Sequence, residues 1–151
     1  MATLIFVYGT LRQGGARPIP KLFPSARFVG FGTVRGWLYH FGAYPGLIVD
    51  PAGRDIVGEV YAVDADAVRE MDEIERYIEG EGNEAECYYF RREQTIALRD
   101  GGAITAELYE VNPLFYDCTA PMDATDWIAW AQAQDDLPQE ELWPDGTLVK
   151  K

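Results

Sequence analysis

Hydrophobic and polar positions along this 151-residue chain follow two periods, one of strands and one of helices. Leu4 to Val7 is a compact apolar run ending at Tyr8-Gly9, the pattern of a buried strand followed by a loop. Glycine-rich aromatic segments follow at Phe28–Val34, Trp37–Phe41 and Leu47–Val49, and they read as short strands bent at glycines. Ile56–Val63 is the next strand. Asp64-Ala65-Asp66 then offers capping carboxylates, and a helix is expected from Ala67 to about Ile78. Tyr89–Leu98 and Ile104–Val111 are strand-like and joined by Asp100-Gly101-Gly102, a hairpin signal. A second helix is expected over Asp123–Gln134, with Trp127, Trp130, Ala131 and Gln134 at the spacing that packs on a core. There is no internal repeat and no low-complexity linker. The order predicts one α+β domain over residues 1–151, with a small, strongly curved sheet or β-barrel and flanking helices.

The helix after Asp66 carries one residue out of pattern. With Val68 at zero and about 100° per residue, Met71, Ile74 and Ile78 fall near 300°, 240° and 280° and define the apolar stripe. Glu75 falls near 340°, between Met71 and Val68, whereas Glu70 and Glu73 fall near 200° and 140°, toward solvent. A carboxylate in an apolar setting has its pKa raised by desolvation, which suits a general base near neutral pH. The alternative is a structural ion pair, for which Arg91 or Arg92 is available. Periodicity weighs the two equally. Tyr8-Gly9-Thr10-Leu11, directly after the first strand, is the second candidate. Its backbone N–H groups can cradle an anion such as a carboxylate, or the segment is a plain strand-ending turn.

Composition narrows the chemistry. The chain has 13 Lys+Arg against 25 Asp+Glu, for a formal net charge of −12, which argues against a nucleic-acid or anionic-membrane partner. Arg91-Arg92 and Lys150-Lys151 are its adjacent basic pairs, and neither makes a patch. The amino-terminal run has no basic flank and no stretch approaches the length of a membrane span, so the cytoplasm is the expected compartment. Ser25 is the sole serine and His40 the sole histidine, so a serine–histidine triad has no second choice of residues. Cys87 and Cys118 lack both metal-ligand spacing and an evident base. Gly9 to Gly14-Gly15 lacks the Lys-Ser/Thr of a phosphate loop, and Gly30-Phe31-Gly32 runs into a strand instead of a helix. Asp64 and Asp66 are read as helix caps, His40 as a packing residue, and Glu79–Glu86 as a solvated loop. Carboxylate acid/base work or backbone electrostatics remains.

Several segments taken together resemble the γ-glutamylcyclotransferase-like family: Val7-Tyr8-Gly9-Thr10-Leu11-Arg12, Tyr44-Pro45-Gly46-Leu47, Gly58-Glu59-Val60-Tyr61, Met71-Asp72-Glu73-Ile74-Glu75-Arg76-Tyr77, Tyr89-Phe90-Arg91-Arg92 and Glu107-Leu108-Tyr109-Glu110-Val111. The resemblance spans about residues 4–112 and leaves about 114–151 as a C-terminal helical extension. It implies a compact mixed-sheet barrel, and a cavity lined by Tyr8, Gly9, Thr10 and Leu11 as substrate-binding residues. It also implies Glu75 as the catalytic acid/base, the residue the helical wheel picks out by itself. Family members of this kind release 5-oxoproline from a γ-glutamyl amine or amino-acid conjugate, with no metal or organic cofactor. The substrate supplies its own nucleophile, its α-amino group. The expected partner is a small γ-glutamyl substrate. Where family members often carry Asn or His after the glycine loop, this chain has Gly14-Gly15-Ala16-Arg17-Pro18. A non-catalytic small-ligand-binding module of the same fold, and an interaction protein using its acidic surface, are the rival expectations.

Overall fold

The computed structural model describes residues 2–79, 84–135, 137–138 and 141–146. Six strands form its sheet: β1 (Thr3–Val7), β2 (Arg27–His40), β3 (Pro45–Val49), β4 (Arg54–Val63), β5 (Tyr89–Leu98) and β6 (Ala103–Val111). Their spatial order is β3-β2-β4-β1-β6-β5. β5 returns to β2 through the pairs Gly32↔Leu98 and Thr33↔Ala97, which closes five strands into a barrel and leaves β3 as an outlying partner of β2. Every pairing is antiparallel except β1 with β6, so the sheet is mixed.

Side-chain alternation sends the two faces of β1 into different cores. Phe6 joins Val34, Leu38, Leu47, Ile56, Val60, Ile96 and Leu108, a cluster supplied by all six strands that fills the barrel. Ile5 and Val7 face the other way, toward Val63, Val68, Met71, Tyr89 and Tyr109. Strands β1 and β4 meet so closely at Gly58 that a Cβ there would lie 2.4 Å from Phe6 Cζ. That contact permits only glycine.

Among the described residues three α-helices flank the barrel: α1 (Ile19–Leu22), α2 (Ala65–Ile74) and α3 (Trp127–Gln132). Asp64 caps α2 by accepting a 2.8 Å hydrogen bond from the Ala67 N–H, as expected of it. The helix is shorter than its apolar stripe suggested. It ends at Ile74, Glu75 is its C-cap, and Arg76 has φ of 54°, so the chain turns out of the helix before Ile78. Ile78 is exposed rather than on the stripe. The segments Phe28–Val34 and Trp37–Phe41 are not two short strands: all but Phe41 belong to β2, whose irregularity lies at Phe28/Gly30. α1 follows Pro18, whose fixed φ favours a helix start. No periodicity announced so short a turn.

The C-terminal segment is mainly loop among the described residues. Its helix covers Trp127–Gln132 instead of Asp123–Gln134, because Asp126 caps it by accepting from the Ala129 N–H. Val57 N–H bonds Thr125 O (2.9 Å) and Met122 N–H bonds Leu38 O (2.7 Å), pinning the approach to the barrel, and Trp127 enters the barrel core. Residues 141–146 return across the sheet, where Trp143 is buried in the cluster under α2. The expected acidic loop Glu79–Glu86 is described only at Glu79 and at the turn Glu84–Glu86, and residues 80–83 and Lys150-Lys151 lie outside the described residues. Among the described residues no helix is long and apolar enough to cross a membrane.

Candidate active site

The end of β1 opens into a cavity of about 480 Å³, counting its mouth. Tyr8, Gly9, Thr10 and Leu11 form one wall, Glu75 a second, and Arg17 and Trp143 are also in contact with it. The loop is held from behind. Glu59, 2 % exposed, accepts from Arg12 Nε (2.9 Å), from the Gln13 N–H (3.1 Å) and from the Tyr61 hydroxyl (2.8 Å). Arg12 Nη1 also reaches Asp126 at 2.9 Å, which ties the loop to the start of α3. The carbonyls of Gly9, Thr10 and Leu11 accept from Arg12, Arg17 and Ile19 N–H groups. Among the described residues, no turn or loop carbonyl and no side chain accepts from the N–H groups of Gly9, Thr10 or Leu11. Three backbone donors are thus spare on the cavity wall, the arrangement that suits an anion or a developing oxyanion. Gly9 lies against Pro45: a Cβ there would sit 2.5 Å from Pro45 Cγ, so the loop can approach β3 this closely only with glycine.

Glu75 reaches the cavity because α2 ends where it does. Met71 and Ile74 bury the helix face, and the C-cap residue hangs over its rim. Arg91 and Arg92 do not neutralise it. Arg91 grips Asp72 with Nε at 2.9 Å and Nη2 at 3.2 Å, and reaches Glu107 at 2.6 Å, while Arg92 bonds Glu110 at 3.2 Å. The Tyr109 hydroxyl adds a 2.7 Å hydrogen bond to Asp72, so one carboxylate of α2 is saturated. No hydrogen bond or ion pair from the described residues reaches the Glu75 carboxylate. Its pKa is raised from 4.5 to about 7, chiefly by desolvation. The Arg17 charge opposes the rise, and Glu141 and Asp72 add to it.

The remaining wall is aromatic and neutral. Tyr8 donates to the Tyr109 carbonyl (2.6 Å), Tyr89 to the Pro45 carbonyl (2.7 Å) and Tyr44 to the Leu142 carbonyl (2.7 Å). Burial pushes the Tyr44 phenol up to about 12 and that of Tyr8 well above its ordinary value, so both stay protonated at neutral pH. Among the described residues no group of three or more His, Cys, Asp or Glu could hold a metal ion.

A family model described as "Gamma-glutamyl cyclotransferase, AIG2-like" matches residues 5–129. The chain belongs to this family. The match runs past residue 112 and takes in Trp127. A Drosophila melanogaster relative named "Putative gamma-glutamylcyclotransferase" is 34% identical over 120 residues, covering 72% of this chain and 69% of its own. A Methanocaldococcus jannaschii relative with the same description is 32% identical over 106 residues, covering 70% of this chain and 81% of its own. The solved mouse AIG2-like protein shares the fold with a TM-score of 0.57 at 24% identity, covering 73% of this chain and 77% of that one. An uncharacterized Pyrococcus horikoshii protein does so with a TM-score of 0.58 at 22% identity, covering 86% and 93%. A γ-glutamylcyclotransferase-like function and a barrel of this fold follow from these likenesses.

All five residues expected at this cyclotransferase-family site, Tyr8, Gly9, Thr10, Leu11 and Glu75, line the one cavity. The residues set aside lie elsewhere. His40 stacks on Trp130 with ring centroids 4.9 Å apart, Ser25 is exposed, and the Cys87 thiol bonds the Ile78 backbone. Two participants were not foreseen. Asp72, three residues before Glu75, fixes Arg91 and Tyr109; its i, i+3 spacing to Glu75 was the signal available. Arg17 gave none. It is a second cation in a glycine-rich loop that already holds Arg12, and its buried partner lies 124 residues away.

Proposed function

We propose that this protein is a γ-glutamylcyclotransferase that releases 5-oxoproline from a γ-glutamyl conjugate, with Glu75 as general acid/base. The reading rests on one juxtaposition: an unpaired, desolvated Glu75 carboxyl lines the same cavity as Gly9, Thr10 and Leu11, whose backbone N–H groups have no loop or side-chain acceptor among the described residues. The substrate binds folded, with its α-amine neutral at Glu75 and the excess ammonium proton released to solvent. The amine nitrogen attacks the γ-carbonyl carbon and closes a five-membered lactam. Glu75 accepts the proton that this nitrogen sheds and delivers it to the departing nitrogen as the γ-amide C–N bond breaks. The products are 5-oxoproline and the free amine. Spare loop donors hold the α-carboxylate and the developing oxyanion. Holding amine and carbonyl in contact supplies several kcal/mol of barrier reduction, on the order of what intramolecular positioning gives elsewhere. A pKa of about 7 suits a group that must take a proton and return it.

The test is 5-oxoproline release from a panel of γ-glutamyl amino acids, γ-glutamyl amines and glutathione, with Glu75→Gln beside the unaltered protein. Glu75→Gln keeps shape and removes the base, and turnover is expected to fall at least 10²-fold, in line with general acid–base contributions. No product from any conjugate leaves a binding role only, and full activity of the variant overturns the mechanism.

A further inference from the structure

Arg17 is 6 % exposed and in contact with the cavity. Nη2 donates to Thr10 Oγ1 at 2.8 Å, and Nη1 donates to Glu141 Oε2. Nε has no partner, the one such buried side-chain nitrogen or oxygen among the described residues. A buried, unsatisfied donor on a cation is costly unless something in the cavity accepts from it. The guanidinium cannot turn away, since two of its three nitrogens are fixed from opposite ends of the chain.

Glu141, 4 % exposed, belongs to the returning segment 141–146 and lies beyond the family match. That segment is clamped by Tyr44 on the Leu142 carbonyl, by Arg76 over the Trp143 ring (5.3 Å), and by the Arg76–Asp145 pair (3.5 Å). The γ-glutamyl half of a substrate presents two acceptors, its α-carboxylate and its γ-carbonyl. Three loop N–H donors stand ready for them. The Arg17 donor is left over, and its setting is built by a segment that the shared part of the family does not include.

Building on the cyclotransferase reading, we infer that Arg17 Nε–H reads a carboxylate on the departing amine, so that the preferred substrates are γ-glutamyl amino acids or peptides rather than γ-glutamyl alkylamines. Glu141 is the positioning partner that turns Nε toward the cavity while Thr10 fixes the other edge. A charge-assisted hydrogen bond selects an anion over an isosteric methyl group, since losing the anion leaves the donor unsatisfied.

The experiment compares γ-glutamylglycine with γ-glutamylethylamide, which replaces the carboxylate by a methyl group. With the unaltered protein, kcat/KM for the glycine conjugate is expected to exceed that for the ethylamide roughly 10- to 100-fold, the range for a charged hydrogen bond. Arg17→Gln is expected to erase that preference chiefly through KM, the glycine conjugate losing more than the ethylamide, while any loss common to both reports the Arg17 charge beside Glu75. Should Arg17→Gln fail to fold, the substrate ratio of the unaltered protein and of Arg17→Lys decides, with the lysine variant expected to keep a smaller preference. Equal rates for the two conjugates, or an equal loss of both in Arg17→Gln, overturn the inference; the second result moves the guanidinium to the γ-glutamyl half. If neither conjugate yields 5-oxoproline, the catalytic reading fails first, and calorimetric titration of both compounds then judges Arg17 alone. Tighter binding of γ-glutamylglycine that Arg17→Gln abolishes keeps the inference, and equal or undetectable binding removes it.

Discussion

Glu75 ties stability to pH in a direction that can be worked out beforehand. Its pKa is raised from 4.5 to about 7 in the folded protein, largely by desolvation. The folded state therefore binds more protons than the unfolded chain between these two values, and stability must fall as pH rises through that window. At about 1.4 kcal/mol for each pH unit, the gap of 2.5 units between the two pKa values amounts to about 3 kcal/mol. Below about pH 4.5 the carboxyl is protonated in both states and the term vanishes; above about pH 7 it is complete. Glu75→Gln carries no such term. The stability of Glu75→Gln minus that of the unaltered protein is thus expected to grow by about 3 kcal/mol from pH 4.5 to pH 8, or roughly 6–12 °C in Tm for a domain this size. Urea denaturation of both proteins at several pH values gives the difference, with the titrating groups not coupled to Glu75 cancelling. A difference that stays flat with pH would refute the desolvated carboxyl. The same ionisation should set the acid limb of kcat/KM near pH 7.

Two further substitutions probe the cavity wall. Gly9→Ala forces a Cβ to within 2.5 Å of Pro45 Cγ, so the loop must shift, and a loss of about 10²-fold in kcat/KM is expected with a smaller change in thermal stability, since 1 Å errors in positioning cost that much. Glu59→Leu strips Arg12, Gln13 and Tyr61 of a shared acceptor and leaves the buried Arg12 with Asp126 alone; a cost of about 3–5 kcal/mol in urea denaturation is expected.

Much of this architecture is legible in local pattern. β5 spans Tyr89–Leu98 as its alternation and the following glycine turn require, and β1, β4 and β6 agree to within a residue or two. Glu75 was traceable because its angle on the helical wheel conflicts with its charge. Its actual place is subtler, for α2 stops at Ile74, and the left-handed Arg76 carries the chain away. Wheel geometry assumes that the helix continues, whereas the chain closes it with the Tyr77 N–H on Asp72 O (2.9 Å), and the freed Arg76 O then accepts from the Tyr88 N–H (3.2 Å). Arg17 was hidden for a related reason. A charge in a glycine-rich loop reads as solvated unless the chain 124 residues later is known to cover it. The mixed character of the sheet was likewise out of reach of periodicity, because the pairing of β1 alongside β6 is a choice of neighbours.

The returning segment also bears on when this protein can work. Tyr8 meets Tyr109 across 101 residues of chain, Tyr44 meets Leu142 across 98 and Arg17 meets Glu141 across 124. Contacts this distant require closure of long loops and tend to form slowly. The barrel is complete at β6, but the cavity wall is finished only when residues 141–143 have been synthesised and have docked. A barrel still waiting for that segment would have its fold and lack its Arg17–Glu141 pair. On the inference drawn for Arg17, selectivity, unlike the shared scaffold, is then the last property that folding delivers.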